Sequence, residues 1–287
     1  VRDQILAAVA AARNAPVPAG RLADAKSYNR YAFARTLDST ERIASVVASF
    51  AAYRREYGTV NAYYRTLDAL SPADLQAAAR RYFTDEGMIV TTLAREPLPG
   101  GIERAPALSA IPLAPAAAAE TPAAAEAPVL PAARGPAPAL RLVVQKSVLP
   151  QLNVKLLFTA GSSHDPAGRE GLASLAAAMI ADAGSRTLPI DRIRDALYPM
   201  AGSFTANADK EVTTFTGIIH RDHWKRFLAI VLPQLLDPGF REEDFRRVKD
   251  AQMNALVQDL RASNEEELGR ERLQTNIFRN TNYAHHA

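Results

Sequence analysis

Residues 97–138 carry ten of the chain's 19 prolines and 15 alanines, without one aromatic side chain. Proline fixes φ and withholds its N–H, so prolines spaced this way interrupt both helices and central strands. The stretch has too little apolar area to offset the entropy of ordering it, and its composition favours extended, polyproline-like conformations. It is predicted to be a linker. That one feature divides the 287 residues into a block at 1–96, the linker at 97–138 and a block at 139–287.

Both blocks are globular in composition. The chain as a whole is 48% hydrophobic and 23% charged, which is long enough and apolar enough for real cores. Cysteine is absent, so a disulfide framework, a thiolate zinc site and a cysteine nucleophile are all excluded. A chain without cysteine suits a reducing or an oxidising compartment equally. The 34 Lys and Arg against 31 Asp and Glu leave a net charge of only +3. These charges are interspersed, as in Arg246-Arg247-Val248-Lys249-Asp250, which reads as a solvated helix face. No nucleic-acid partner is expected from such a pattern. No apolar run approaches the roughly 20 residues of a membrane span, so no membrane partner is expected either. The first residue is Val1 and no charged segment precedes an apolar core there, so the chain reads as an internal piece of a longer protein.

The first block reads as mostly helical. Helices are predicted over Val1–Arg13 and Leu22–Phe33, and a third begins at Asp38, with Glu41 as its reciprocal capping partner. Ile43, Val46, Val47 and Phe50 form the apolar face of that third helix. Ser71-Pro72-Ala73-Asp74 is a strong helix start, running to Phe83: a hydroxyl caps, proline sits where no N–H is needed, and a carboxylate lies near free amides. Met88–Leu93 reads as a strand.

The block at 139–287 is mixed. Strands are predicted at Leu140–Gln145 and Asn153–Thr159 around a Val148–Pro150 turn. Ser203–Ala208 and Val212–Ile219 alternate like a hairpin turning at Asp209-Lys210. Helices are expected at Gly171–Ala183, Ile190–Ala201, Trp224–Leu236, Glu242–Ala262 and Glu266–Phe278, the last capped by Ser263 with Glu266. Paired strands followed by helices favour an α+β fold, an antiparallel sheet with helices packed on one face.

Candidate chemistry is sparse. His220, Asp222 and His223 lie where a strand gives way to a helix, and this spacing could hold a metal. No further ligand stands at a matching interval, and the trio reads better as the polar first turn of the helix. His164 precedes Asp165-Pro166, a turn signal, and His285-His286 stand at the end of the sequence. Glu265-Glu266-Glu267 reads as an acidic helix start. There is no G-x-S-x-G elbow. Gly161, Gly168 and Gly171 are spaced wrongly for a phosphate loop or a dinucleotide fingerprint.

The informative stretch is Gly161–Gly184, GSSHDPAGREGLASLAAAMIADAG, a Pro/Gly turn feeding a helix with five small residues between Ala173 and Ala178. Small side chains let a neighbouring element approach closely. This text resembles the insulinase/pitrilysin family of zinc metallopeptidases, in its two-halved, processing-peptidase-like form. The family's helix reads G-L-A-H-x-x-E-H-M, where both histidines hold zinc and the glutamate activates water. Gly171, Leu172, Ala173 and Met179 match, but Ser174 and Ala178 stand at the two His positions and Ala177 at the Glu. The family's third ligand, a glutamate roughly 75 residues on, falls at Met253-Asn254-Ala255-Leu256, which offers no carboxylate.

The likeness covers nearly everything but the linker: Leu22–Lys26, Ile43–Ala48 and Tyr64–Phe83 before it, and Ala201–Phe215, His223–Gln234, Leu236–Phe240 and Asn282–His286 after it. It implies that 1–96 closes a first peptidase-like half and that 139–287 opens a second, non-catalytic one, the duplicated halves being joined by a disordered linker. The intact protein would then be a metalloendopeptidase that cleaves peptides in a chamber between the halves. This segment would form the zinc-less wall and hold no catalytic residue. The resemblance also implies no cofactor in this chain, zinc in an upstream half, and two partners: a peptide substrate and the catalytic half of the same chain. It fits an exported bacterial protein. The competing reading is a peptidase-like scaffold without zinc in either half, and an H-x-x-E-H motif upstream separates the two.

Overall fold

The computed structural model describes residues 2–91, 98, 100–102, 105–112 and 141–284. They cluster as two units, Val1–Lys26 with Ser39–Thr121 and Ser27–Asp38 with Pro122–Ala287.

The first unit is helical: α1 (Arg2–Asn14), the opening turns of α2 (Ala19–Thr36), α3 (Thr40–Arg54), α4 (Thr59–Ala69) and α5 (Pro72–Tyr82). Leu6 and Ala10 of α1 and Ala79 of α5 are buried. Helix ends leave carbonyls without intrahelical partners. Here Gln76 Nε2 and Arg80 Nε reach the Arg13 carbonyl at 3.2 and 2.9 Å. Lys26 Nζ closes the end of α4 at the Asp68 and Leu70 carbonyls, 2.7 and 2.6 Å away. α5 starts as its sequence requires: Ser71 Oγ accepts from the Asp74 N–H, and Asp74 Oδ2 accepts from the Ser71 N–H at 2.8 Å. α3 differs from expectation, because Ser39 rather than Asp38 supplies the capping oxygen. Met88–Thr91 form no strand; 92 and 93, the rest of that expected strand, lie outside the described residues. Leu108, inside the proline-rich stretch, is buried, and its N–H donates to Asp85 Oδ1 at 2.7 Å. Residues 113–138 of that stretch lie outside the described ones.

The second unit is α+β. Three antiparallel strands, β1 (Gln151–Phe158), β2 (Ser203–Ala208) and β3 (Thr213–His220), pair in the order β1-β3-β2. Val154 and Phe204 both stand opposite Gly217, and Leu156 and Ala206 opposite Phe215, so these apolar residues of the three strands share a face. The β2–β3 hairpin turns as expected, the Asp209 N–H donating to the Val212 carbonyl at 2.8 Å. The expected strand at Leu140–Gln145 does not form over its described residues: 141–147 are unpaired and Leu142 is 79% exposed, while 140 lies outside the described residues. A β-branched run becomes a strand only where a sheet edge receives it, and no described edge does so.

Thr213, Phe215, Gly217 and Ile219 alternate as the buried face of β3. Against that face lies α8 (Trp224–Leu236), whose Phe227, Ile230 and Val231 join Ile193, Leu197 and Met200 in the core. Glycine is required at 217: a Cβ there would stand 2.9 Å from the Phe227 ring. α6 (Leu172–Asp182) and α7 (Ile190–Leu197) precede the hairpin, and α9 (Glu242–Asn254) follows α8. The single helix expected over Glu242–Ala262 is interrupted. Ala255–Leu260 widen into π-helix, and then come the short α10 (Arg261–Ser263) and α11 (Glu265–Ile277). Ser263 is not the cap of α11. Its hydroxyl donates to the Gln258 carbonyl, and Asn264 Oδ1 accepts from the Glu267 N–H instead.

Candidate functional site

Helix α6 is held at both ends by side chains from outside it. Asp165, only 7% exposed, turns its carboxylate onto the helix start: Oδ2 accepts from the Gly171 N–H at 2.8 Å and Oδ1 from the Ala173 N–H at 2.9 Å. A carboxylate there satisfies amides the helix cannot use and sits at the positive end of its dipole. Gly171 occupies the left-handed region at φ +91°, and its carbonyl accepts from Gln252 Nε2 of α9 at 3.3 Å. At the far end, Arg247 donates to the Asp182 carbonyl at 2.6 Å, and Arg241 to the Ala183 carbonyl at 3.1 Å and the Ser185 carbonyl at 2.7 Å. Cationic donors at a helix C-terminus complement its free carbonyls.

The positions singled out from the sequence lie on this helix. Ser174 and Ala178 face a groove toward α9, whereas Ala177 is buried at 3% exposure. Ala255 and Leu256, from the region where a third ligand was sought, stand across from Ser174 in a cavity of about 320 Å³; Met253 and Asn254 do not line it. Zinc takes imidazole nitrogen, thiolate sulfur or carboxylate oxygen. Around Ser174 that cavity offers one carboxylate, Asp259, with the amides of Gln252 and Asn264 and otherwise alkyl groups; a single carboxylate beside a hydroxymethyl and methyls does not make the ligand set that ion takes. No group of three or more His, Cys, Asp or Glu is placed to hold a metal among the described residues.

The histidine trio does come together, around an aromatic ring. His220 Nδ1 lies 3.3 Å from Asp222 Oδ2 and from the Asp222 N–H. Tyr31, from the part of α2 in this unit, meets His220 at 5.0 Å and His223 edge-on at 4.4 Å between ring centroids. Burial holds the His223 pKa below its usual 6.5, against the opposing pull of Asp222 and with added repulsion from His220 and Arg226. The unfolded chain therefore binds this proton more tightly than the fold does. Its contribution to stability is complete above pH 6.5 and is lost as pH falls below 6.5 toward the lowered native value. Urea unfolding between pH 7.5 and 5.5 should show that loss, and His223→Asn should flatten it. An unchanged pH slope in the variant would refute the assignment.

The remaining sequence candidates have structural partners. His164 is exposed, and its Nδ1 accepts from the Gly161 N–H at 3.3 Å. Glu266 and Glu267 pair with Arg270 at 3.0 and 2.8 Å. His285 and His286 lie outside the described residues. Asp165, Gln252, Arg241 and Arg247, which place α6, were missed by sequence reading. Only the Asp-Pro turn hinted at the first, and the others act across more than 50 residues.

The model of the insulinase family, peptidase family M16, matches residues 141–287. No curated protein matches the chain. Among solved structures, a peptidase M16 inactive domain from Pseudomonas fluorescens is similar at 24% identity and a TM-score of 0.45, over 50% of this chain and 34% of that one. Pitrilysin is similar at 19% identity and TM-score 0.41, over 48% and 14%. A protease from Helicobacter pylori is similar at 14% identity and TM-score 0.40, over 47% and 32%. The chain thus spans about a third or less of the length of these structures. The family match takes in the sheet, α6 and everything after it, more than half of the sequence, and on that ground the protein belongs to the insulinase family of peptidases.

Proposed function

We propose that this chain is a segment of a zinc metallopeptidase that cleaves peptides in a chamber between two halves. In this reading residues 1–96 close the first half, 97–138 link the halves, and 139–287 form the first subdomain of the second. The second half is the zinc-less wall: it packs against the catalytic half and shapes the cavity. Zinc belongs to the upstream half, and the partners are the peptide and that half.

One observation carries the proposal. On the helix where the family's motif places two ligands and a base, this chain has Ser174, Ala178 and Ala177, and Ala255 and Leu256 stand opposite. The family match supplies the peptidase frame; the lack of imidazole and carboxylate at those positions supports reading this half as zinc-less.

Zinc titration of the tag-free chain by calorimetry tests it. The wild type should bind no stoichiometric zinc, whereas the combined variant Ser174→His, Ala178→His, Leu256→Glu should gain one site, because Ser174 lines both the cavity that Leu256 borders and the adjacent one that Ala178 borders. Tight one-to-one zinc binding by the wild type, abolished by changing residues of α6, would overturn the proposal.

A further inference from the structure

Ser27–Asp38, the later part of α2, belong to the second unit, although the residues on both sides of them in sequence belong to the first. None of these residues is fully buried. What holds them is directional instead. Ser27 Oγ donates to the Pro199 carbonyl at 2.7 Å, and the Tyr28 ring stacks on Tyr198 at 4.6 Å between centroids. Arg35 donates to the Ala201 carbonyl, and its own carbonyl accepts from Gln151 Nε2 at 3.0 Å. A segment secured by rings and hydrogen bonds, with no fully buried apolar side chain, opens at a lower free energy than the core beneath it.

Tyr31 is the contact in the middle, its ring against both His220 and His223. The Nε2 atom of His223 is closed off from water and has no hydrogen-bond partner among the described residues. A neutral imidazole can leave that nitrogen as an unused acceptor, but protonation makes both ring nitrogens donors. A buried cationic donor with nothing to receive it is costlier than a neutral group in the same place. The groups facing His223 are Tyr31 of α2, His220 at the end of β3, Asp222 beside it in the chain and Arg226 of α8. Asp222 is the one anion among them, and its carboxylate already stands 3.3 Å from His220 Nδ1 and 4.0 Å from Arg221 Nε. His220 and Arg226 oppose an added positive charge. The pull of a tyrosine ring on a cation is smaller than the cost of burying that cation unpaired. Relief comes when Tyr31 moves off and water reaches Nε2.

We propose that Ser27–Asp38 form an acid-released strap, let go from the second unit when His223 takes up a proton, while the sheet and α8 stay folded. The sign follows from burial, which holds His223 below its usual pKa of 6.5, so the released form binds the proton more readily. The strap is fully attached above pH 6.5 and loosens below it. Once off, its half of α2 frays, because an 18-residue helix has little stability in water without its packing.

Hydrogen exchange of the full chain at pH 7.5 and 5.5, read by fragment mass spectrometry and normalised to the rates of the unfolded chain, tests this. Opening within 28–36 should rise on acidification by up to about tenfold, the most that one proton supplies over the pH unit below 6.5. Over the same change β3 and the later turns of α8 should keep their protection. His223→Phe keeps a ring against Tyr31 but cannot titrate, and should make the opening of 28–36 independent of pH. His223→Asn, equally unable to titrate, takes its place should the phenylalanine variant fail to fold. Tyr31→Ala should leave the segment open at both pH values. The proposal is overturned if 28–36 open no further at pH 5.5, or if β3 and α8 lose protection in step with them. It is overturned equally if a folded His223 variant keeps the wild-type response, or if Tyr31→Ala keeps wild-type protection.

Discussion

Phe227→Ala is expected to destabilise the second unit by about 3–5 kcal/mol, read as a lower urea midpoint at unchanged slope. Phe227 is 1% exposed and sits at the centre of the apolar cluster. Its ring fills space that two glycines leave open: a Cβ at Gly217 would meet it at 2.9 Å and one at Gly202 at 3.3 Å. The two glycines have no side chain to refill the hole, and the Leu197 and Ile219 side chains beside Gly202 are already fixed in the same cluster, so the vacated volume closes only in part. Cavities that collapse so incompletely fall toward the upper end of the large-to-small range. For a unit of this size, the midpoint of thermal unfolding should fall by on the order of 10 °C. A loss below about 1.5 kcal/mol, the range of well-tolerated core swaps, would show that α8 does not seat on the sheet as described.

Asp165→Ala should be the most damaging change outside the apolar core, at about 2–3 kcal/mol. The carboxylate is buried and accepts from two N–H groups at the start of α6. Alanine leaves both donors without a partner, which exceeds the penalty of losing an exposed cap. Asp165→Asn should recover part of the loss, because the amide oxygen can still accept one bond while the charge at the helix terminus is gone. Hydrogen exchange gives the local readout: protection should fall first at Gly171 and Ala173. If the alanine variant keeps both the wild-type midpoint and that protection, the cap is not what positions α6.

Local chemistry made part of this fold legible. The Ser71/Asp74 box lies within four consecutive residues, and its helix starts where those residues require. The β2–β3 hairpin follows from alternation about a short turn, and α6 from its apolar, small-residue composition. Reading failed where the deciding partner was remote or where neighbouring residues competed. Leu142, Val143 and Val144 look like a strand by side-chain type, yet a strand is a property of two segments. Ser39 and Asp38 are adjacent and equally able to cap, as are Asn264 and Ser263, so one-residue errors at helix starts arise from degenerate chemistry. At the candidate site the side-chain chemistry of Ser174, Ala177 and Ala178 is read directly from the sequence, a hydroxymethyl and two methyls, whatever the fold. The contacts that place those residues were not legible: the bonds from Arg247 and Gln252 to α6 exist only once α9 has packed.

The widened turn at Ala255–Leu260 has a consequence for how the sequence can change. A π-turn accommodates an additional residue while the flanking helices keep their places, so α9 and α11 need not share one helical phase. Drift in chain length is absorbed there as a bulge rather than passed on as a rotation, about 100° per residue in a regular helix. Opposite Ser174, then, an inserted or deleted residue would change the width of that turn and leave α9 seated against α6.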